Sequence, residues 1–173
     1  MENISIDQLI SNLASKDGFL RVKSRHALID RGEPAIEPLV DAMSNKNEYV
    51  RWEATKAIGQ IAAKMVSEES TRKEYQDALQ KLVEALEDKN FDVRWLAAEG
   101  LISIGEGAVP SILNALIERS DSLILREGAH HVFHDLLAKG ILSDKLVQVT
   151  AALDDINSPV EIPFIAKKVL DSI

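Results

Sequence analysis

Apolar residues recur along this chain with the spacing of one helical face. In the stretch 49–61, Val50, Ala54, Ala57, Ile58 and Ile61 follow the i, i+4, i+7, i+8, i+11 pattern. The stretch 36–43 shows the same kind of stripe over a shorter length. A single helix cannot bury such a stripe alone, so the pattern predicts helices that stack on their neighbours.

A unit of about 30 residues is repeated along the chain. Residues 20–43 align without a gap on residues 93–116, and further copies begin at 49 and 125 and end in the second halves 78–86 and 145–153. Half copies occupy the ends, at 6–13 and 162–173. Each unit is predicted to be a first helix, a turn and a second helix. Gly32 and Gly105 stand where a left-handed residue ends the first helix.

The copies share the letters "VR", then small residues, then "AIG" or "LISIG", then "PAIEPLVDAM" or "GAVPSILNAL". This signature resembles the HEAT repeat, in the short HEAT-like form typical of phycobilisome lyase subunits. The resemblance extends from about residue 4 to residue 173. It implies one all-α domain over residues 1–173, an α-α superhelix of about five helix pairs including the terminal half repeats.

An arginine stands near the start of the first helix in each of four copies. These arginines are Arg21, Arg51, Arg94 and Arg126. Four residues upstream, the first three copies carry Asp17, Asn47 and Asn90 in the preceding loops. Because a guanidinium donates several directional hydrogen bonds, we expect a structural ladder that ties such loops together across repeats.

Trp52 and Trp95 occupy the same position in adjacent copies, and a helical wheel points both away from the core. One interpretation is that the neighbouring repeat or loop covers each indole in part. A second is a patch that docks a protein or a second copy of the chain, since tryptophan is enriched at such surfaces. A third is stacking on a flipped DNA base.

The net charge is −8, with 28 acidic against 20 basic residues. This balance disfavours nucleic-acid binding and favours a basic partner. The resemblance implies that the second helices line the concave side of the superhelix. Six residues of these helices face away from the core on the wheel: Asp7, Glu37, Asp41, Gln80, Glu84 and Asn114. We expect this stripe to bind a basic peptide or the basic face of a protein.

Two further segments carry candidate contact or ligand residues. Residues 64–77 lengthen the second repeat and predict either a contact element or an elongated hairpin. His130, His131 and His134 lie on one predicted helix, at a spacing with which imidazoles hold zinc or nickel. A helix surface lacks the surrounding wall of a metal site, so a solvated polar face is the interpretation we favour, with no cofactor.

Enzymatic relatives of the repeat class fit the residues poorly. HEAT-like deoxyhypusine hydroxylases bind iron through His-Glu pairs, and this sequence contains no such pair. HEAT-like alkyl-base DNA glycosylases use a basic surface, against which the charge balance argues. P-loop and nucleophile-elbow motifs are also absent from the sequence. The favoured function is a non-catalytic scaffold or adaptor, and the alternative is a HEAT-like subunit of a bilin lyase or another enzyme complex.

Compartment and membrane association are predicted from composition. The chain has no cysteine, so disulfides and zinc-thiolate sites are excluded. We see neither a signal-peptide pattern nor an apolar run of membrane-spanning length. The expectation is a cytoplasmic protein without membrane contact.

Overall fold

The computed structural model describes residues 4–65, 72–141, 146–154 and 159–173. These residues are helical and contain no strand, which confirms the all-α class. The helices are α1 (Ile6–Asn12), α2 (Gly18–Arg31), α3 (Ile36–Ala42), α4 (Glu48–Ala62), α5 (Lys73–Ala85), α6 (Phe91–Ile104), α7 (Val109–Glu118), α8 (Leu123–Ala138), α9 (Val147–Asp154) and α10 (Ile162–Leu170).

Local sequence signals set the ends of the first helix of each repeat, which are α2, α4, α6 and α8. A polar side chain before each of these helices accepts a hydrogen bond from a backbone N–H of the first turn. These N-caps are Asp17, Asn47, Asn90 and Ser122. At the other end, Gly32 and Gly105 terminate α2 and α6 with φ angles of 65° and 76°. Only glycine adopts this conformation without strain from a Cβ atom, as the sequence predicts.

The helices stack in two layers around one core. The first-helix layer consists of α2, α4, α6 and α8, and the second-helix layer begins with α1, α3, α5 and α7. Buried apolar side chains form a continuous cluster between the layers, from Leu9 on α1 to Val169 on α10. The arrangement is the α solenoid that the repeat predicts.

The C-terminal end departs from the repeat. The sequence predicts α10 to be another first helix, but α10 packs chiefly against α7 and also against α9. It therefore extends the second-helix layer, while α9 connects α8 to α10. Ile162, Ala166 and Val169 of α10 are buried, and α10 covers apolar surface of α7 that would otherwise be exposed to water.

One stretch, Phe91–Glu118, is long and apolar enough to cross a membrane by length and composition. The sequence was expected to contain no apolar run of membrane-spanning length, and this stretch departs from that expectation. Gly105 interrupts this stretch, which folds as α6 and α7. Leu101 and Leu113 are examples of its side chains that are fully buried in the core. Burial of this kind is what the core helices of a solenoid require.

The two layers differ in packing at the centre of the array. A Cβ atom at Gly59 of α4 would lie only 2.8 Å from the Cα atom of Gly100 on α6. The corresponding helices of the other layer, α5 and α7, flank an open groove of about 600 Å³. The two glycines therefore allow α4 and α6 to approach closely. The expectation that the second helices line the concave side stays a prediction.

Candidate functional site

Aromatic side chains gather on the outward surface of the first-helix layer. We call this surface the aromatic face and define it by Tyr49, Trp52, Phe91, Trp95 and His131. Tyr49 and Trp52 lie on α4, Phe91 and Trp95 lie on α6, and His131 lies on α8. Sequence analysis identified the two tryptophans but missed Phe91, which is 63% exposed.

Trp95 is the centre of a continuous ring stack. Its ring centroid lies 6.5 Å from that of Phe91 and 4.9 Å from that of His131. Phe91 precedes Trp95 by one helical turn, whereas His131 reaches it from the neighbouring helix. The Trp95 side chain is still 47% exposed. Water therefore contacts a large, oriented apolar surface at this point.

Trp52 is more covered than its counterpart. Its indole packs against the core cluster and is only partly exposed. The Lys56 ammonium lies 5.4 Å from its ring centroid and the Arg25 guanidinium 6.0 Å from it. Arg25 is held by the fully buried Glu53 at 2.5 Å. Trp52 therefore fits the interpretation in which its surroundings cover the indole in part. Trp95 has the exposure that a docking patch would need.

Charge is distributed unevenly over the aromatic face. Cationic groups adjoin its α4 side, where Arg21 stacks on Tyr49 at 4.6 Å and Lys56 on Trp52. Exposed carboxylates adjoin its α6 and α8 side: Asp92, Glu99 and Glu127. The surface around Trp95 is therefore both aromatic and acidic.

The arginine ladder fixes the loops that precede the first helices. Nη1 of Arg21 donates to the carbonyl of Ser15 at 2.8 Å, and Nη1 of Arg51 donates to that of Asn45 at 3.0 Å. Arg94 makes the equivalent bond to a loop carbonyl. Arg126 is buried. Each of the first three arginines thus anchors its own loop. The upstream Asp17, Asn47 and Asn90 act as N-caps.

Arg51 also connects adjacent repeats, as the ladder hypothesis requires. Its Nε and Nη2 atoms donate to Asp88 at 2.8 and 3.0 Å. This bidentate pair raises the pKa of Arg51 through its hydrogen bond to Asp88. Burial alone would raise the pKa of Asp88, but the bonds from Arg51 and the Asn90 backbone lower it overall. The pair stabilises the fold between α4 and the loop before α6.

The six residues of the predicted stripe are all exposed: Asp7, Glu37, Asp41, Gln80, Glu84 and Asn114. Asp7 and Asp41 line a groove of about 500 Å³ between α1 and α3, whose apolar wall includes Ile10 and Pro38. Among the described residues neither carboxylate has an ion-pair partner. The helix wheel therefore predicted the exposure of the stripe correctly.

The second groove of this layer lies between α5 and α7 and is lined by Gln80, Glu84 and Asn114. The Lys81 ammonium lies 3.0 Å from the Glu84 carboxylate. Glu84 is therefore compensated within the chain, unlike Asp7 and Asp41. The negative charge of the stripe is concentrated in its N-terminal part.

The insertion at 64–77 only partly falls within the described chain, since residues 66–71 lie outside it. Its aromatic residue, Tyr75, belongs to α5 and is buried. Burial raises the pKa of the Tyr75 hydroxyl. Tyr75 is thus a core residue, so its aromatic side chain is not available for a contact with a partner.

Two of the three histidines of α8 contact neighbouring helices. Nε2 of His130 lies 2.7 Å from Oδ1 of Asp154 on α9, and Nε2 of His131 lies 3.7 Å from Oε1 of Glu99 on α6. The His134 ring lies 5.9 Å from that of His130 on the same helix. No three His, Asp or Glu side chains of the described chain are grouped to hold a metal ion. His130 and His131 thus link α8 to α9 and α6.

Comparisons with known proteins concern the repeat. The sequence profile of the PBS lyase HEAT-like repeat matches residues 50–88, which span α4 and α5. No curated protein matches the chain. Two crystal structures of engineered proteins from the Northeast Structural Genomics Consortium are 21% and 20% identical, with TM-scores of 0.49 and 0.48, covering 96% of this chain and 79% of each of those chains. A designed armadillo repeat protein is 18% identical, with a TM-score of 0.45, over 97% of this chain and 99% of that one.

Proposed function

We propose that this HEAT-like repeat protein is a non-catalytic scaffold that docks a protein or peptide on its aromatic face. The observation that carries the proposal is Trp95, held between Phe91 and His131 while 47% of its side chain is exposed. Tryptophan side chains that become fully covered dominate the energy of protein interfaces. The neighbouring helices hold this side chain in place before any partner arrives.

Rigidity supports this role. The contact between Gly59 and Gly100 and the pair between Arg51 and Asp88 fix α4 and α6 relative to each other. A surface that is already ordered loses little conformational entropy on binding, so its contacts contribute more to affinity. The acidic residues around Trp95 favour a partner segment that combines an apolar anchor with positive charge.

The N-terminal part of the stripe is a second candidate for the contact surface. Asp7 and Asp41 face a groove with apolar walls and make no ion pair among the described residues. Such a groove suits the aliphatic stem and charged head of lysine or arginine. A basic peptide bound there would lose affinity with added salt, because exposed charges are screened.

Absence of catalysis is part of the proposal. Among the described residues, the groups with shifted pKa values are Arg51, Asp88 and Tyr75, and each shift has a cause within the packed fold. The alternative is a non-catalytic subunit of an enzyme complex. The name of the matching repeat, PBS lyase HEAT-like, favours a lyase complex for that alternative.

Affinity capture from the native lysate tests the proposal, with the wild type beside two variants. Trp95→Ala removes the centre of the aromatic face, and Glu37→Lys/Asp41→Lys/Glu84→Lys reverses charge along the stripe. A protein recovered by the wild type and by the triple variant, but lost with Trp95→Ala, supports the aromatic face. Loss only with the triple variant transfers the site to the stripe.

Phe19→Ala is the matched control for this experiment. Phe19 lies on α2, is 77% exposed and is not part of the aromatic face. Its replacement removes an exposed aromatic ring of similar character. Recovery that falls equally with Phe19→Ala and Trp95→Ala would mean non-specific hydrophobic adsorption and would refute the proposal.

A further inference from the structure

Helix α10 carries an aromatic anchor that its own chain leaves uncovered. Phe164 is 74% exposed and points opposite to Ile162, Ala166 and Val169, which pack on α7. Val160 lies two residues before α10 and is also exposed. Exposed apolar side chains that are grouped on a surface are typical of contact sites.

The charge next to this anchor is positive. Lys167 and Lys168 follow Phe164 by about one turn and are both exposed. Lys167 forms an ion pair with Asp171 on the same helix. Lys168 has no carboxylate partner among the described residues. The outer face of α10 thus combines a phenyl ring with an uncompensated ammonium group.

The surface around Trp95 has the complementary composition. Asp92 and Glu99 lie one turn before and one turn after Trp95 on α6, and Glu127 on α8 holds the position equivalent to Trp95 itself. Nε2 of His131 lies 3.7 Å from Oε1 of Glu99. The Arg94 guanidinium lies over Phe91 at 5.4 Å and marks the cationic edge of this surface. An aromatic ring flanked by carboxylates therefore faces solvent.

We propose that α10 of one copy docks on the aromatic face of a second copy, with Phe164 against Trp95 and Lys168 against Glu99 or Glu127. Helix α10 has nine residues, so it is about 14 Å long and fits along the exposed side of α6. Aromatic pairing and opposite charge then act at the same contact.

The contact is heterologous, because it joins two different surfaces. Each copy offers one α10 and one aromatic face, so association continues until a ring closes or a short chain of copies forms. The same face is the docking surface proposed above, which makes self-association a competitor of partner binding. The proposals of partner docking and of self-association can be refuted independently. A protein that never self-associates can still lose its partner through Trp95→Ala.

Sedimentation equilibrium or light scattering on purified protein tests the contact. One copy has a mass of 19.1 kDa, and the wild type is expected to exceed this mass increasingly with concentration. Trp95→Ala keeps the Phe164 anchor on α10 but lacks the centre of the aromatic face. Phe164→Ala keeps the aromatic face but lacks the anchor. Each variant alone is expected to be monomeric. An equimolar mixture is expected to form species of two copies and no larger ones.

Charge exchange provides a second measurement. Lys168→Glu and Glu99→Lys are each expected to weaken self-association about tenfold, and their combination in one chain to restore it in part. Phe19→Ala is the control and is expected to leave association unchanged, because α4 separates its helix α2 from α6, and α2 does not pack against α10. Since all these side chains are exposed, circular dichroism is expected to show unchanged folding.

Two results would overturn the contact. One is a wild type that stays monomeric at all concentrations up to about 100 µM, because a dissociation constant above that value is too weak for a specific complex. The other is a mixture of Trp95→Ala and Phe164→Ala that stays monomeric while the wild type associates, since that association would use other surfaces.

Discussion

The two layers of this solenoid present surfaces of different character. The aromatic face is built around Trp95, which packs on Phe91 and His131, and charged side chains surround these rings. The stripe on the second helices has few apolar groups and presents carboxylates such as Asp7 and Asp41. One surface offers apolar area to be buried and the other offers charge that salt screens. The same repeat therefore supports two modes of recognition, one on each layer.

The difference begins in the packing of the layers. Where α4 meets α6, Gly59 and Gly100 remove the side chains that would separate them. Where α5 meets α7, ordinary side chains leave a groove. The close approach of α4 and α6 restricts the two backbones that carry Trp52 and Trp95, whereas the groove between α5 and α7 leaves its polar side chains exposed.

Arg51→Met is expected to lower the free energy of unfolding by about 3 kcal/mol at pH 7, because it leaves the partly buried Asp88 carboxylate without its partner. The effect is measured by urea denaturation. The folded-state pKa of Asp88 lies below its ordinary value of 3.8. The stabilisation is therefore present above about pH 4 and is lost as the pH falls through the folded-state pKa. The gap between variant and wild type should close in that range.

Arg119→Met is the control, because its ion pair also joins loops before first helices but is more exposed. Arg119 lies in the loop before α8 and pairs at 2.8 Å with Glu87 in the loop before α6. Its loss is expected to cost less than about 1 kcal/mol. Equal costs at Arg51 and Arg119 would contradict the view that burial makes the pair between Arg51 and Asp88 the more stabilising of the two.

Gly59→Val is expected to lower the free energy of unfolding by about 1–3 kcal/mol, because its Cβ atom would overlap the backbone at Gly100. Gln60→Val adds the same β-branched side chain one position further on, where the residue is exposed, and is expected to cost well under half as much. Thermal unfolding of both variants decides this. Comparable losses would mean that the close approach of α4 and α6 is not a packing constraint.

Local patterns in the sequence were sufficient to predict the fold. The repeat spacing gave the helix pairs, and the glycines after α2 and α6 gave their ends. The position of α10 was not predictable, because its stripe fits either layer and only contact with α7 decides between them. The close approach of α4 to α6 was not predictable either. Gly59 and Gly100 stand at different positions of their repeats and meet only in three dimensions.

The candidate site was predictable in part. Equivalent positions put Trp52 and Trp95 on the same outward face, but their exposures differ for reasons outside the repeat. Lys56 and the Arg25–Glu53 pair adjoin Trp52, whereas Trp95 has an acidic residue at the position equivalent to Lys56. Long-range neighbours of this kind vary between repeats and leave no periodic signal.

Trp95→Ala is expected to weaken binding of the captured partner by about 2 kcal/mol, roughly thirtyfold, as for a central interface tryptophan. Trp52→Ala is expected to weaken it less, because less of that indole is available to a partner. Calorimetric titration of the partner into each variant measures both. Equal losses would mean that the two tryptophans form one symmetric patch, against the difference in exposure described above.

Asp7→Asn/Asp41→Asn is expected to have the smallest effect, below about 1 kcal/mol of binding free energy, if the partner occupies the aromatic face. The substitutions keep the shape of the groove between α1 and α3 and remove only its charge. Titrations at about 0.05 M and 0.5 M salt separate screened attraction from apolar burial. Under our proposal the salt dependence is nearly the same in the wild type and in the double variant. A double variant that binds more weakly than Trp95→Ala and is insensitive to salt would make the N-terminal carboxylates the principal contact, and the aromatic face a surface for self-association alone.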